Sequence, residues 1–523
     1  MDIATAAEPS AATAAATPGG TRGNGQEHLL RDLDFDTCYR AIVARDARFD
    51  GRFYIGVTST GIYCRPICPS RTPARRNVRF YPHAAAAEVA GFRACRRCRP
   101  ETSPGSPDWD VRKDLIGRAL RLIENGTVDA EGVGGLAGRL AVTERHLHRL
   151  FIAEVGAGPL ALARTRRLQL ARRLLAESDL PITDIAFASG FGSVRRFNES
   201  VKDAYGLPPG ALRGHRTGRP LRAAQPGGPL SLRLAYRPPF DAAALLDFLA
   251  ARAIPGVEEV SPNRYARTIA TPGGPGTLEL LPDPGAPQIV LRLAVPDLRG
   301  TPQVVAACRA LFDLCADPAT VAGVLGADPA LAPLVAARPG LRVPGAYDGF
   351  ELAVRAVLGQ QVSVAAARTL AGRLVAATGT PLPEPVGTLT HVFPTADALA
   401  GADLDHVGLT GARRRTLRAL AEAVADGGLH LDSGADVAAT TAALEELPGI
   451  GPWTSGYIAM RALRDPDAFP GTDLVLRRAM ESAGITTTEP WRPWRAYAAL
   501  HLWTAPPEQI QRIPQHHQTG KTS

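Results

Sequence analysis

Two apolar rhythms divide the 523 residues. "LSLRLAY" (230–236) and "QIVLRLAV" (288–295) alternate apolar and polar side chains, the period of half-buried strands. Between them, 241–252 has helical spacing, and beyond about 300 the pattern is helical. Upstream, "VGGLAGRLAVTERHLHRLFIAEVG" (133–156) reads as two short helices. Leu136, Ala137 and Leu140 face inward, Ala141 and Val142 make the turn, and Thr143 can cap a helix that buries Leu147, Leu150 and Phe151. Glu144, Arg145, His148 and Arg149 are left outward. "LPITDIAFASGFGSVRRFNESVKDAYGLPP" (180–209) repeats the design. Pro181 starts a helix, Gly190 to Gly192 turn the chain, and Ser193 caps a helix with Val194, Phe197 and Val201 inward and Arg195 and Arg196 outward. A long helix at about 160–177 joins the two pairs.

The length exceeds what one core supports and predicts several domains. With 52 Gly and 45 Pro, turns and linkers are frequent. "TSPGSPD" (102–108) and 214–229 are Pro/Gly-rich breaks. No uninterrupted apolar run is long enough for a membrane span, and the Ala/Thr/Gly-rich start reads as a disordered tail, so a cytoplasmic, membrane-free protein is expected. The net charge of +8 is uneven. Residues 64–100 hold nine Arg and one Glu, and 111–216 hold 17 Lys/Arg against 11 Asp/Glu. From 230 onward 25 Lys/Arg face 28 Asp/Glu. Positive charge in the first half suits phosphate binding; a solvated arginine-rich surface is the plainer alternative.

Four of the seven cysteines cluster as Cys64-x3-Cys68 and Cys95-x2-Cys98. Two short-spaced pairs can supply one tetrahedral four-thiolate site for a single Zn2+. Spacing alone does not say whether that metal is structural or reactive. Four thiolates around Zn2+ carry about −2, so the sulfurs stay electron-rich, and surrounding arginines draw in phosphates. A methyl group on one sulfur would reduce the site to about −1 and ease its repulsion from DNA, an affinity switch. The segments "CRPIC", "NVRFY" and "GFRACRRC", within about 35–100, resemble the N-terminal domain of the Ada family. The resemblance implies that Cys64 accepts a methyl group from a DNA methylphosphotriester while Cys64, Cys68, Cys95 and Cys98 hold the zinc. Cys38 lies outside that pattern, and Cys308 and Cys315 have no assigned role.

The paired helix-turn-helix units, above all "DIAFASGFGSVRRFNESVKDAYGLPPGALR", resemble the AraC-type DNA-binding domain. That implies an activator, with Arg145, His148, Arg149, Arg195 and Arg196 as DNA-contact candidates. RNA polymerase is an expected partner.

"LEELPGIGPWTSGYIAMRAL" (444–463) reads as a helical hairpin: Gly449 and Gly451 permit a tight turn and Pro452 opens the next helix. Exposed N–H groups there can hold a DNA phosphate, with a monovalent cation between. Trp453 and Tyr457 share a helix face, a spacing common in core packing. With "RPGLRVPGAYDGFELAVRAVLGQQVSV", "FPGTDLVLRR" and "PWRAYAALHLW", the hairpin resembles AlkA-type 3-methyladenine DNA glycosylases of the helix-hairpin-helix superfamily, over about 230–510. The resemblance implies that Asp473 is the essential carboxylate, that Trp453, Tyr457 and Trp503 stack on a flipped alkylated base, and that Gly449, Gly451 and Thr454 form the phosphate hairpin. By its local sequence Asp473 is equally a helix N-cap, and both roles are compatible. Gln361, in "LGQQVS", stands where a relative places an apolar wedge. The lysine of lyase-competent members is replaced by Trp453, so a monofunctional glycosylase is expected. No Pro-Cys-His-Arg motif occurs, so O6-methylguanine repair is not expected.

The expected architecture is multidomain α+β. It runs as a tail (1–27), a small zinc-binding α/β module (28–101), an all-α double helix-turn-helix (109–213), a linker (214–229), an α+β subdomain (230–340), a helical helix-hairpin-helix bundle (341–512) and a second tail (513–523). The expected activity joins phosphotriester methyl transfer and transcriptional activation to excision of alkylated purines from double-stranded DNA, in a monomer. The alternative is a transcription regulator with purely structural zinc and a non-catalytic glycosylase-like half.

Overall fold

The computed structural model describes residues 35–45, 53–81, 86–87, 90–95, 97–98, 111–214 and 229–506. The expected tails, 1–27 and 513–523, and most of the 214–229 break lie outside the described residues. The chain divides into two compact units, Met1–Trp109 and Asp110–Ser523.

In the first unit, α1 (Phe35–Ala44) accompanies a four-stranded sheet of order β3-β1-β2-β4. Strand β1 (Tyr54–Val57) pairs antiparallel with β2 (Ile62–Cys64) and β3 (Val78–Tyr81). The short β4 (Arg93–Ala94) runs parallel to β2, with Tyr63 opposite Ala94. Cys38, Phe53, Ile55, Val78 and Phe80 fill the core. Cys38 is fully buried, as a small apolar residue would be.

The second unit opens with α2 (Val111–Glu124), α3 (Thr127–Arg139), α4 (Glu144–Glu154), α5 (Pro159–Glu177), α6 (Ile182–Ala188), α7 (Val194–Tyr205) and α8 (Pro209–Gly214). Thr143 accepts a bond from the His146 amide and Ser193 one from the Arg196 amide, so each second helix starts on a hydroxyl cap. Ala141 turns the chain with φ of 54°.

A five-stranded antiparallel sheet follows, of order β5-β9-β8-β7-β6. Its strands are β5 (Leu230–Ala235), β6 (Glu258–Ser261), β7 (Arg264–Thr271), β8 (Gly274–Pro282) and β9 (Gln288–Ala294), with α9 (Ala242–Arg252) between β5 and β6. The helical part comprises α10 (Thr301–Leu311), α11 (Pro318–Leu325), α12 (Ala332–Ala337), α13 (Gly349–Leu358), α14 (Val364–Thr378), α15 (Ala396–Ala400), α16 (Gly411–Ala425), α17 (Val437–Glu446), α18 (Pro452–Arg461), α19 (Leu474–Ser482) and α20 (Arg495–Thr504). A β-hairpin, β10 (Thr380–Val386) with β11 (Leu389–Val392), interrupts it. The helical rhythm read beyond residue 300 missed this hairpin, whose first strand is proline-rich and exposed on most positions, so no alternation marks it.

A buried ionic network joins sheet to helices. Arg267 of β7 bonds Glu351 of α13 at 2.6 Å, and Arg355 reaches both Glu351 (2.5 Å) and Glu258 (2.7 Å), which also accepts from the Tyr265 hydroxyl. Burial alone would raise the Glu351 carboxyl; Arg267 and Arg355 outweigh it and hold the group well below the usual carboxylate range.

The helix-turn-helix module also docks on both parts of the C-terminal half. Arg118 donates to Asp436 at 3.1 Å and to the Gly434 carbonyl at 2.9 Å, while Arg121 meets the Ser433 carbonyl and Arg139 meets Asp432. On the other side, Arg166 donates to the Pro302 carbonyl at 3.1 Å. One cluster of buried side chains takes in Leu174, Ile185, Phe197 and Val201 together with Leu232, Leu278, Leu291 and Cys308. Cys308 is thus a core thiol, pushed up to about 12 by burial, whereas Cys315 is exposed.

Candidate metal centre and active site

Parallel pairing of β2 with β4 brings the two cysteine pairs together. Cys64 ends β2, the Cys68 amide turns back to the Arg65 carbonyl, and the Cys95 amide bonds the Tyr63 carbonyl at 3.0 Å. All four sulfurs lie within 4.8 Å of one another, with Cys68 and Cys95 3.9 Å apart. A tetrahedral Zn–S site has sulfur–sulfur edges of about 3.8 Å, so the donor set fits one zinc ion. The Arg65 amide lies 3.4 Å from the Cys98 sulfur, and the buried Arg65 guanidinium bonds the Cys98 carbonyl at 3.3 Å. Hydrogen bonding to Cys68 and Cys98 pushes Cys64 up, while the bond from Cys64 pulls Cys68 down. Cys64, Cys95 and Cys98 are buried and Cys68 is half-buried, so exposure does not favour Cys64; the motif does.

On α4, Arg145, His148 and Arg149 are exposed, as are Arg195 and Arg196 on α7. Arg195 pairs with Glu199 one turn on, at 3.0 Å.

In the C-terminal half, Trp453, Tyr457, Asp473 and Trp503 line one cavity of about 740 Å³ between the sheet subdomain and the helical bundle. Trp453 and Tyr457 stack with centroids 5.4 Å apart and planes 9° from parallel, and Trp503 meets Tyr457 edge-on at 6.4 Å. Asp473 caps α19, its Oδ1 accepting from the Val475 and Leu476 amides at 2.9 and 3.0 Å. The Trp503 indole N–H also reaches Oδ1, at 3.0 Å, and that of Trp453 reaches Oδ2, at 2.9 Å. Oδ1 therefore accepts three bonds and Oδ2 one, which leaves Oδ2 the oxygen with capacity toward the cavity. Cap and pocket carboxylate coexist in one side chain.

The hairpin runs from α17 through Gly449, whose φ of 84° suits glycine, to Gly451, the N-cap of α18. No side chain caps α18. Thr454 differs from the sequence expectation: its side chain is buried and its hydroxyl accepts from Gln360 at 3.0 Å, turned inward. Gln361 is exposed, with a left-handed φ of 55°.

Two arginines were missed. Arg461 donates to the Tyr457 hydroxyl at 2.6 Å and to the Pro344 and Gly345 carbonyls at 2.7 and 3.0 Å. It continues the four-residue spacing of Trp453 and Tyr457, a signal that could have found it. Arg252 stacks on Phe248 at 3.7 Å and enters the cavity from the other subdomain, where no local pattern marks it. Burial would raise the Tyr457 hydroxyl, but Arg461 and Arg252 reverse this and hold it below the ordinary phenol range.

Class follows from four matches in chain order. Residues 37–101 match the metal binding domain of Ada, 136–215 a helix-turn-helix domain, 231–348 the AlkA N-terminal domain, and 354–500 the HhH-GPD superfamily of base excision DNA repair proteins. The chain is 50% identical over 489 residues, 92% of its length and 98% of the relative's, to a probable bifunctional transcriptional activator/DNA repair enzyme AlkA of Mycobacterium tuberculosis. It belongs to that family of Ada–AlkA fusion proteins. DNA-3-methyladenine glycosylase 2 of Escherichia coli is 39% identical over 284 residues, 52% of this chain and 95% of that one. The Escherichia coli bifunctional activator/repair enzyme Ada is 38% identical over 176 residues, 34% of this chain and 48% of that one.

Proposed function

We propose that this chain repairs and senses DNA alkylation by two reactions. In the first, the Cys64 sulfur attacks the methyl carbon of a DNA methylphosphotriester. The S–C bond forms as the C–O bond breaks, and the phosphodiester leaves with the electron pair. Cys64, Cys68, Cys95 and Cys98 would hold the zinc ion, which would keep their thiols deprotonated while leaving them nucleophilic. The Arg65 amide beside Cys98 stabilises sulfur charge. Loss of one negative charge strengthens attraction to DNA phosphates, and the domain carrying Arg145, His148, Arg149, Arg195 and Arg196 then activates transcription, with RNA polymerase as partner.

In the second reaction, an alkylated purine such as 3-methyladenine is flipped into the aromatic cavity and released by cleavage of its N-glycosidic bond. Stacking on Trp453, Tyr457 and Trp503 favours a cationic base. The base leaves with the bonding electrons, which neutralise its charge. Asp473 stabilises the oxocarbenium-like sugar and orients the water that adds to it. With Trp453 at the position where lyase-competent relatives carry lysine, the enzyme is monofunctional. Gly449 and Gly451 present the hairpin to a phosphate, with a monovalent cation between, and Gln361 fills the gap left by the flipped base. Thr454 supports that hairpin from inside.

The division of labour follows 28–101 for methyl acceptance, 109–213 for promoter binding, and 230–340 with 341–512 for excision, in a cytoplasmic monomer. The observation that carries the excision reading is the Asp473 carboxylate held by two indole N–H groups at a stacked aromatic cavity. Incubation with methylphosphotriester duplex should add one methyl mass to the Cys64 peptide, and duplex containing 3-methyladenine should lose that base. A zinc-loaded protein that stays unlabelled, or that labels on Cys68, removes the first assignment. Failure to release the base removes the second.

A further inference from the structure

The loop between α13 and α14 carries Gln361, and its neighbour Gln360 is tied down on three sides. The Gln360 amide donates to the Val357 carbonyl at 3.3 Å. Its carbonyl accepts from Arg413 at 2.6 Å, and its side-chain Nε2 donates to the Gly449 carbonyl at 2.9 Å and the Thr454 hydroxyl at 3.0 Å. Because a carbonyl only accepts, the NH2 end of the amide must face Gly449.

Helix α16 reinforces the same junction. Arg413 holds the Gln360 carbonyl, and Thr416, one turn further on, packs against the hairpin. A Cβ at Gly449 would fall 2.3 Å from the Thr416 hydroxyl oxygen, at a φ of 84° that already disfavours side chains. The hairpin, the Gln361 loop and the start of α16 therefore meet at Gln360. Gln361 itself leaves this junction exposed, between Gln360 and the half-exposed Val362 and Val364 that line the cavity.

We propose that Gln360 is a positioning residue that sets Gln361 at a fixed distance from the phosphate-gripping hairpin, with Arg413 fixing the loop backbone. This rests on the excision reading above. Gripping of the phosphate by Gly449 and Gly451 and insertion of Gln361 thereby become one rigid event: hairpin placement determines where the side chain enters the stack. Gln360 does not touch the base; it acts through Gln361. The donor matters more than the shape, since an acceptor at Nε2 would oppose the Gly449 carbonyl.

The test uses full-length protein with Gln360→Glu, Gln360→Ala, Gln361→Ala and the Gln360→Ala/Gln361→Ala pair. Single-turnover base release from N7-methylguanine duplex gives the rate, and 2-aminopurine fluorescence beside the lesion reports flipping. Affinity for undamaged duplex and the melting temperature report grip and folding. For Gln360→Glu and Gln360→Ala, flipping amplitude and release rate should fall about tenfold, the effect of roughly one lost hydrogen bond. Affinity for undamaged duplex should stay within about twofold for Gln360→Ala, since the hairpin amides are untouched. The double variant should be no slower than Gln361→Ala alone, because Gln360 acts through it. Arg413→Lys should retain part of the rate that Arg413→Ala loses. Fully additive losses, unchanged flipping, or losses that merely track the melting temperature overturn the proposal. If wild-type protein releases no base, it is the excision reading that fails instead.

Discussion

Replacing Asp473 with Asn separates the charge of this side chain from its capping. The carboxylate receives four N–H groups, two from the α19 backbone and two from indoles. Asparagine caps a helix about as well as aspartate, so with its oxygen at the Oδ1 position it retains the amides of Val475 and Leu476 and the Trp503 indole. Its NH2 then opposes the Trp453 N–H, two donors meeting, at a cost of about 1–3 kcal/mol. Loss of the negative charge beside a developing sugar cation removes about 3–4 kcal/mol from the transition state, a fall of about 10²–10³-fold. Single-turnover release of 3-methyladenine measures this, and chemical denaturation of the same preparation measures stability. A folded variant releasing base at the wild-type rate would reduce Asp473 to a helix cap. Asp473→Ala adds the loss of the cap, about 1 kcal/mol of stability, and should be no faster than Asp473→Asn.

Removing zinc with a chelator should abolish methyl transfer to Cys64 while leaving base release at its original rate, because the chain divides into separate compact units; metal content and both activities are measured on one sample. Glu351→Gln leaves Arg267 facing a neutral partner in the interior, while Arg355 keeps Glu258, and should cost about 3–5 kcal/mol by urea unfolding. His501 is buried, its Nδ1 has no bonding partner, and burial with Arg338 nearby lowers it from 6.5 to about 4. The folded state thus keeps His501 neutral where the unfolded chain binds a proton, so its contribution is intact above about pH 6.5 and falls as pH drops toward 4, by about 3 kcal/mol in all. His501→Gln should flatten that decline, and an NMR titration of His501 near its ordinary value would contradict it.

Legibility from sequence tracked the range of the interaction. Cys64 and Cys68, Trp453 and Tyr457, and the caps Thr143 and Ser193 are local patterns with local causes, and they read directly. Asp473 and Trp503 come from distant segments, and only resemblance joined them to Trp453. Side chains answering to remote partners escaped: Arg252 crosses from the sheet subdomain, and Thr454 turns inward because Gln360 waits there. The 214–229 break reads as a linker and the basic charge of 111–216 as suited to phosphate binding, yet Arg118, Arg121 and Arg139 are spent on residues 432–436. Charge patterning cannot distinguish a cation facing DNA from one facing its own chain.

That docking changes what a fusion accomplishes. Two modules on a flexible tether sample every separation the tether allows, and the second binding event gains an effective concentration set by linker length. Here the core shared by Phe197, Val201 and Leu232, and the contacts at Pro302 and 432–436, fix a single offset between helices α4 and α7 and the aromatic cavity. If α4 and α7 hold a duplex as proposed, the aromatic cavity meets it at one angle and one reach, which favours lesions at the matching helical phase. The excision half is aimed like an instrument on a mount, with the protein's own regulator as the mount.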